Sequence, residues 1–498
     1  MFDFGDIDTT CIRCGICRKQ QAREAMPEIE IGQLAKTLAA ARSLEDIPNQ
    51  STEFITSCSL CDACTARCPR NISCAAVTRA ARQLLGSLQP CLSAAYRAFR
   101  VDYQENLFSA LRQAAGVAYP EALIPLPKTA PQPHTTERDI PSKPDPTDNL
   151  PAPAQQASLS LFLPGCALDS FAPPLTLATL ELLLERGVVD GMTAYCCGNP
   201  LKNAGLISEY NQYAGHLLAL LGANQVTKLI VACPNCLHSL SHLLKQATAR
   251  ETELVPLPEV LLELGQYYVD KAVTSPGPAA LSSKPPLQQR TRTLALCRNK
   301  PPVQQQVYPS ATLCDKLPSE QHIRTSSTRL RSVAVHDSCP DRFDQRFGWA
   351  TRRLFTEGGL EVLELQSHGR NSICCGAGGL AQVLGQDHAL QRRERRLAEF
   401  AQTNADCLIC SCASCVNAFL AKSPAPAVRH YLELILGVPI NWQALEAGYN
   451  QALAQLAVWD EFPDAHTTPV FTPTHVPSQS GDTHVPRQSA NAHAPRDR

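Results

Sequence analysis

Two stretches of this chain repeat one pattern of apolar and polar positions. In residues 158–272 a short apolar run, Leu159-Ser160-Leu161-Phe162-Leu163, stops at Pro164-Gly165. Apolar residues then recur at helical spacing over 174–186 until Gly187, and a second helix is predicted over 204–221. Lys228-Leu229-Ile230-Val231-Ala232 follows as a buried strand. Residues 331–445 run in the same order. Ser332-Val333-Ala334-Val335 predicts a strand, 347–356 a helix up to Gly358-Gly359, and Glu361-Val362-Leu363-Glu364-Leu365 a strand. A helix over 381–402, the strand Cys407-Leu408-Ile409 and a helix over 431–436 complete the unit. Strands alternating with helices predict two α/β units, each around a mainly parallel sheet.

Each predicted strand end carries cysteine. In the first unit Cys166 stands alone, Cys196-Cys197-Gly198 follows after 29 residues, and Cys233-Pro234-Asn235-Cys236 after 35 more. In the second, Cys339 stands alone, Cys374-Cys375-Gly376 follows after 34, and Cys412-Ala413-Ser414-Cys415 after 36. Near-equal spacing in two copies marks a duplication. Open α/β sheets place their sites at the C-terminal ends of their strands.

Upstream, residues 31–43 and 74–85 are rich in helix formers. The expected class is therefore a multidomain α+β and α/β chain, with an N-terminal helical module and two duplicated α/β units. We divide it into a cysteine-bearing module (1–95), a helical segment with a proline-rich linker (96–157), the first unit (158–272), a Pro/Ser/Gln-rich insertion (273–330), the second unit (331–445), and a C-terminal helix with a disordered tail (446–498).

Net charge is −1 over 498 residues, which gives no electrostatic case for nucleic acid. The start, Met1-Phe2-Asp3-Phe4, has no secretory pattern, and no run of about 18 apolar residues predicts a membrane span. A cytoplasmic location is expected, with any contact to the inner membrane made peripherally through a partner. In such a chain 23 cysteines at C-x-x-C spacings point to metal rather than disulfides.

Cys58-x-x-Cys61-x-x-Cys64-x-x-x-Cys68-Pro69 is a complete bacterial ferredoxin run. Cys11-x-x-Cys14-x-x-Cys17 is its partner, but Gln21 stands where a fourth cysteine belongs. In two-cluster ferredoxins the fourth cysteine of each run crosses to the other cluster. Cys68 then joins Cys11, Cys14 and Cys17 on one 4Fe-4S cluster. Cys58, Cys61 and Cys64 lack a fourth thiolate, which leaves a 3Fe-4S cluster, a non-cysteine ligand, or a substitute thiol such as Cys74. The plainer reading of Cys74 is a small buried hydrophobe.

The lone cysteine, CCG triplet and C-x-x-C together resemble the CCG domain of the heterodisulfide reductase family, in two full copies. The module order is similar to that of the fused catalytic subunit of those reductases. It is also similar to the iron–sulfur subunits of anaerobic glycerol-3-phosphate dehydrogenase and glycolate oxidase. The resemblance implies that Cys166, Cys196, Cys197, Cys233 and Cys236 hold one noncubane 4Fe-4S cluster, and Cys339, Cys374, Cys375, Cys412 and Cys415 another. It implies thiol–disulfide redox chemistry at those ten cysteines, fed by the ferredoxin clusters. The competing reading is a non-catalytic relay between a flavin dehydrogenase and a quinone-reactive membrane partner. No dinucleotide fingerprint is present, so flavin or NAD belongs on a partner, a flavoprotein or a membrane b-type cytochrome subunit. A structural zinc protein fits poorly, because zinc takes four ligands and each set has five.

Other residues carry weaker signals. His336 before Cys339 suits cluster tuning or proton donation, though a strand-end hydrogen bond is the plainer reading. His430 suits capping or core packing, and His238 has the same ambiguity. Cys407 and Cys410 align with strand residues Lys228 and Val231. Cys91, Cys297 and Cys314 have no partner at ligand spacing.

Overall fold

The computed structural model describes residues 2–88, 158–246, 252–268, 330–420 and 428–442. Five helices build the N-terminal module: Phe4–Thr10, Ile16–Arg23, Ile31–Ala40, Asn49–Ser57 and Cys74–Leu88. Leu34, Leu38, Phe54, Ile55, Val77 and Leu85 form its core. The helix expected over 31–43 ends at Ala40. The Asp46 carboxylate accepts the backbone N–H groups of Arg42 and Ser43 and turns the chain there. The last helix runs three residues past its expected end, to Leu88.

Both duplicated units contain a four-stranded parallel sheet. In the first, β1 (Leu159–Leu163), β2 (Gly191–Met192), β3 (Val226–Val231) and β4 (Glu253–Pro256) lie in the order β2-β1-β3-β4. In the second, β5 (Ser332–His336), β6 (Glu361–Leu363), β7 (Cys407–Cys410) and β8 (Val428–His430) lie in the order β6-β5-β7-β8. Corresponding strands occupy corresponding places, as expected of a duplication. Both central pairs are parallel, with Phe162 opposite Ile230 and Val335 opposite Ile409.

Several expected boundaries move. The edge strands β2, β4 and β8 are additional; two to four residues carry too little alternation to announce a strand. The strand over 361–365 stops at Leu363. The helix over 204–221 runs from Ile207 to Ala223, and a short additional helix, Asn199–Asn203, precedes it. The helix over 381–402 is broken into Ala381–Leu384 and Gln386–Thr403. The break falls at Gly385, where a Cβ would lie 2.6 Å from the Cα of Ser57, so the N-terminal module presses into the gap. The proline-rich linker, the insertion up to residue 329, Cys91, Cys297, Cys314 and everything after residue 442 fall outside the described residues.

The two units share one core. Leu257, Leu261 and Tyr268 of the first belong to the same apolar cluster as Leu354 and Phe355 of the second. Each fully buried side chain of this size contributes roughly 1.5–3 kcal/mol. Arg346 closes the seam with a bidentate pair to Glu259 at 2.8 and 2.5 Å. No helix among the described residues is long and apolar enough to cross a membrane.

Arg82 joins all three parts. Its buried guanidinium donates to the carbonyls of Ile55 (3.0 Å), Thr56 (3.4 Å) and Cys58 (2.7 Å) in the N-terminal module. It also donates to Asn203 in the first unit (2.8 Å) and Gly379 in the second (2.6 Å). Arg82→Met keeps the stem and leaves those buried acceptors unpaired. It is expected to lower stability by on the order of 4 kcal/mol, read as a shifted urea midpoint. A midpoint unchanged from wild type would show that the clamp carries no load.

Candidate metal centres

The four thiols Cys11, Cys14, Cys17 and Cys68 line one cleft at the surface of the N-terminal module, with Cys74 in its wall. Gly15, left-handed at φ 71°, turns the first run so that Ile16–Arg23 starts directly behind Cys14. Burial pushes the Cys17 thiol above its ordinary pKa. Cys14 is exposed, and Ile12 beside it is 57% exposed.

Cys58, Cys61 and Cys64 lie in the next loop of the module, where Cys61 and the Cys58–Ser59 backbone meet the second unit. Burial pushes Cys58 to about 11, opposed by the Arg82 charge. The Cys61 thiol touches the thiol of Cys374, and this contact, with burial, raises its pKa. Arg342 fixes the approach by donating from Nε to the Cys61 carbonyl (3.0 Å) and from Nη2 to the Ser372 carbonyl (2.7 Å). Glu24 accepts the Cys374 N–H at 3.1 Å. Gly379 packs on the loop from the other side. A Cβ there would sit 2.6 Å from the Ser59 carbonyl carbon, and φ is +62°. Its glycine thus serves a backbone-to-backbone approach.

The cysteines of the duplicated units follow strand ends, as expected, except that ten residues separate β6 from Cys374 and Cys375, and their side chains touch in series. Cys166 meets Cys196, Cys196 meets Cys197, Cys197 meets Cys236, and Cys236 meets Cys233. In the second unit Cys339 meets Cys374, Cys374 meets Cys375, Cys375 meets Cys415, and Cys415 meets Cys412. The Cys375 and Cys415 sulfurs are 3.1 Å apart. Cys233 and Cys412 then join the two sets across the seam. All of these but Cys166 and Cys339 are buried, and no disulfide joins the described cysteines. Contacts with neighbouring thiols lower Cys375 and Cys412 and raise Cys236 and Cys415.

Such crowding of soft donors suits iron–sulfur clusters, which thiolates hold. The backbone leaves room for it. Gly165 is at φ +77°, and a Cβ there would lie 2.7 Å from the Cys233 Cβ and 3.1 Å from the Cys236 sulfur. Five thiols in each set exceed a tetrahedral zinc site.

His336 adds a nitrogen to the second set. Its ring lies within 4.8 Å of the Cys375 and Cys415 sulfurs. Arg396 Nε donates to His336 Nδ1 at 3.0 Å, so the neutral ring carries its proton on Nε2. Burial drives its pKa down to about 3. The hydrogen bond expected for this residue and its position beside the Cys375 and Cys415 thiols therefore coexist. His430 is buried where it starts the helix Tyr431–Leu436, its N–H donating to Glu433 at 2.8 Å. Cys407 and Cys410 lie in β7. His238 stacks edge-on against His242 and lines an open cleft between the three parts.

The residues missed from the sequence are mostly arginines. Arg342, Arg392 and Arg396 are among the largest fully buried side chains, and they bind carbonyls of cysteine-bearing or neighbouring segments. One signal was present: Arg82 sits among Thr78, Ala81 and Leu85 on the apolar face of its helix. Nothing in the basic run from Arg392 to Arg396 announces which members turn inward.

Comparison with known families finds matches of two kinds. Residues 160–241 and 333–419 each match the cysteine-rich CCG domain, and residues 10–73 match the 4Fe-4S dicluster domain. No curated protein matches the chain. The chain is thus an iron–sulfur protein with one dicluster domain and two cysteine-rich domains. It has the make-up of an electron-transfer subunit.

Gly165→Ala forces a side chain into the first five-thiol set. Anaerobically purified variant is expected to lose one cluster's worth of iron while the remaining iron persists, as measured by iron and sulfide analysis. Full iron content would show that the close approach is not required.

Proposed function

We propose that this chain is the disulfide-reducing subunit of a heterodisulfide-reductase-like complex. The observation that carries the reading is the meeting of two complete five-thiol sets at Cys233 and Cys412. Bound clusters at these sets would supply electrons one at a time. Reducing a disulfide takes two electrons and two protons: the S–S bond breaks and two thiols form, with both protons drawn from solvent.

The chain's own residues favour such a substrate. The interdomain cleft reaches Cys339, and its polar lining includes Asn199, Asn235 and His238 from the first unit and Arg79 from the N-terminal module. Asn199 follows the first CCG triplet and Asn235 lies within the first C-x-x-C, so both hold fixed positions relative to that set. Their amides suit the polar groups flanking a small disulfide. Electrons would reach this region along the contact from Cys61 to Cys374. The electron donor would be a flavoprotein or a membrane b-type cytochrome subunit. The exposed Cys14 and Ile12 offer it the nearest approach to the outer cluster.

Anaerobic protein reduced with a viologen dye is expected to reoxidise on addition of a small disulfide. Cys339→Ser is expected to lower that rate at least tenfold. A fully loaded protein that reoxidises with no member of a disulfide panel, yet reduces a quinone analogue when a flavoprotein partner is added, would establish the relay reading instead.

A further inference from the structure

The inner cluster is left with three cysteines, Cys58, Cys61 and Cys64, and the position in the other run that should supply its fourth ligand holds Gln21. That side chain is already engaged: its Oε1 accepts the Ile29 N–H at 2.6 Å. The structure offers another sulfur. Cys74 is 5% exposed at the first turn of the helix Cys74–Leu88, and its thiol touches that of Cys64.

This contact is built into the loop. The Cys74 N–H donates to Thr65 Oγ1 at 2.9 Å, and the Thr65 hydroxyl donates to Asp62 Oδ1 at 2.7 Å. Thr65 and Asp62 flank Cys64 in the segment that also bears Cys61. The start of the helix is therefore pinned beside the three cysteines that lack a fourth ligand. Cys74 also borders the outer cleft, but Cys11, Cys14, Cys17 and Cys68 already supply the four thiols a cubane needs. The dicluster match ends at residue 73, so it does not include this cysteine.

We propose that Cys74 is the fourth ligand of the cluster held by Cys58, Cys61 and Cys64, which makes it a 4Fe-4S centre. Its thiol gives up a proton on binding iron. The assignment rests on the dicluster domain and is independent of disulfide reduction. The strongest rival donor is Glu24, 3% exposed, whose charge is felt at Cys61 and Cys64. Both its oxygens are occupied, Oε1 by Gln20 Nε2 at 3.2 Å and Oε2 by the Cys374 N–H.

The test compares wild type, Cys74→Ala, Cys74→Ser and Glu24→Gln, all purified anaerobically as full chains. The readouts are iron analysis and EPR of the oxidised and dithionite-reduced states. Wild type and Glu24→Gln are expected to lack a 3Fe-4S signal when oxidised. Cys74→Ala is expected to show one at about one spin per chain, with about one iron fewer. Cys74→Ser, nearly isosteric, guards against misfolding. It is expected either to give the same 3Fe-4S signal or to keep a 4Fe-4S centre with altered reduced-state EPR. Wild-type spectra and iron content in both cysteine variants would overturn the proposal. So would a 3Fe-4S signal in wild type, or its appearance in Glu24→Gln alone.

Discussion

The constraint on which this structure depends is how to hold many buried sulfurs close together without collapsing the backbone around them. Loops that end strands and begin helices cannot satisfy their own carbonyls, and a buried unpaired carbonyl is costly. Buried guanidinium groups answer that need. Arg82 gathers five carbonyls from three parts of the chain, and Arg342 gathers those of Cys61, Arg370 and Ser372. Arg396 spans His336, Ser367 and Glu399. A guanidinium suits this role because its five donors form a rigid planar fork and its charge does not titrate away. The same cations offset the negative charge that thiolate-bound clusters bring.

From that framework comes a continuous series of sulfur contacts. It runs from Cys166 through both duplicated units to Cys374 and across to Cys61. Burial and crowding hold several of these thiols protonated when no metal is bound, so loading displaces protons and depends on pH. The series meets the N-terminal module at the second unit's CCG triplet. The first unit's set is joined to it through Cys233 and Cys412. The second unit's set therefore lies between the N-terminal module and the first unit's set, and the polar cleft opens where all three parts converge.

Much of this was legible from local pattern. The strands that end at Cys166, Cys233, Cys339 and Cys412 were readable because each is an apolar run cut off sharply, and the two-copy spacing disclosed the duplication. The edge strands were not readable: Gly191–Met192 and Val428–His430 become strands only because β1 and β7 offer them a parallel partner. Nor was the break at Gly385, since Gln386–Thr403 and Ala381–Leu384 share a helical pattern and only Ser57, more than 300 residues upstream, presses between them.

By itself, the sequence determined the ligand chemistry. Cysteine spacing along a strand-turn-helix is short-range, and the backbone geometry of each turn dictates which thiols can share a site. It left open how the sites face one another. Whether Cys61 meets Cys374, whether Cys233 meets Cys412, and which side Cys74 serves are matters of packing between segments far apart in the chain. Those pairings follow from which apolar faces bury together and which carbonyls the arginines reach, and the folded arrangement alone decides them.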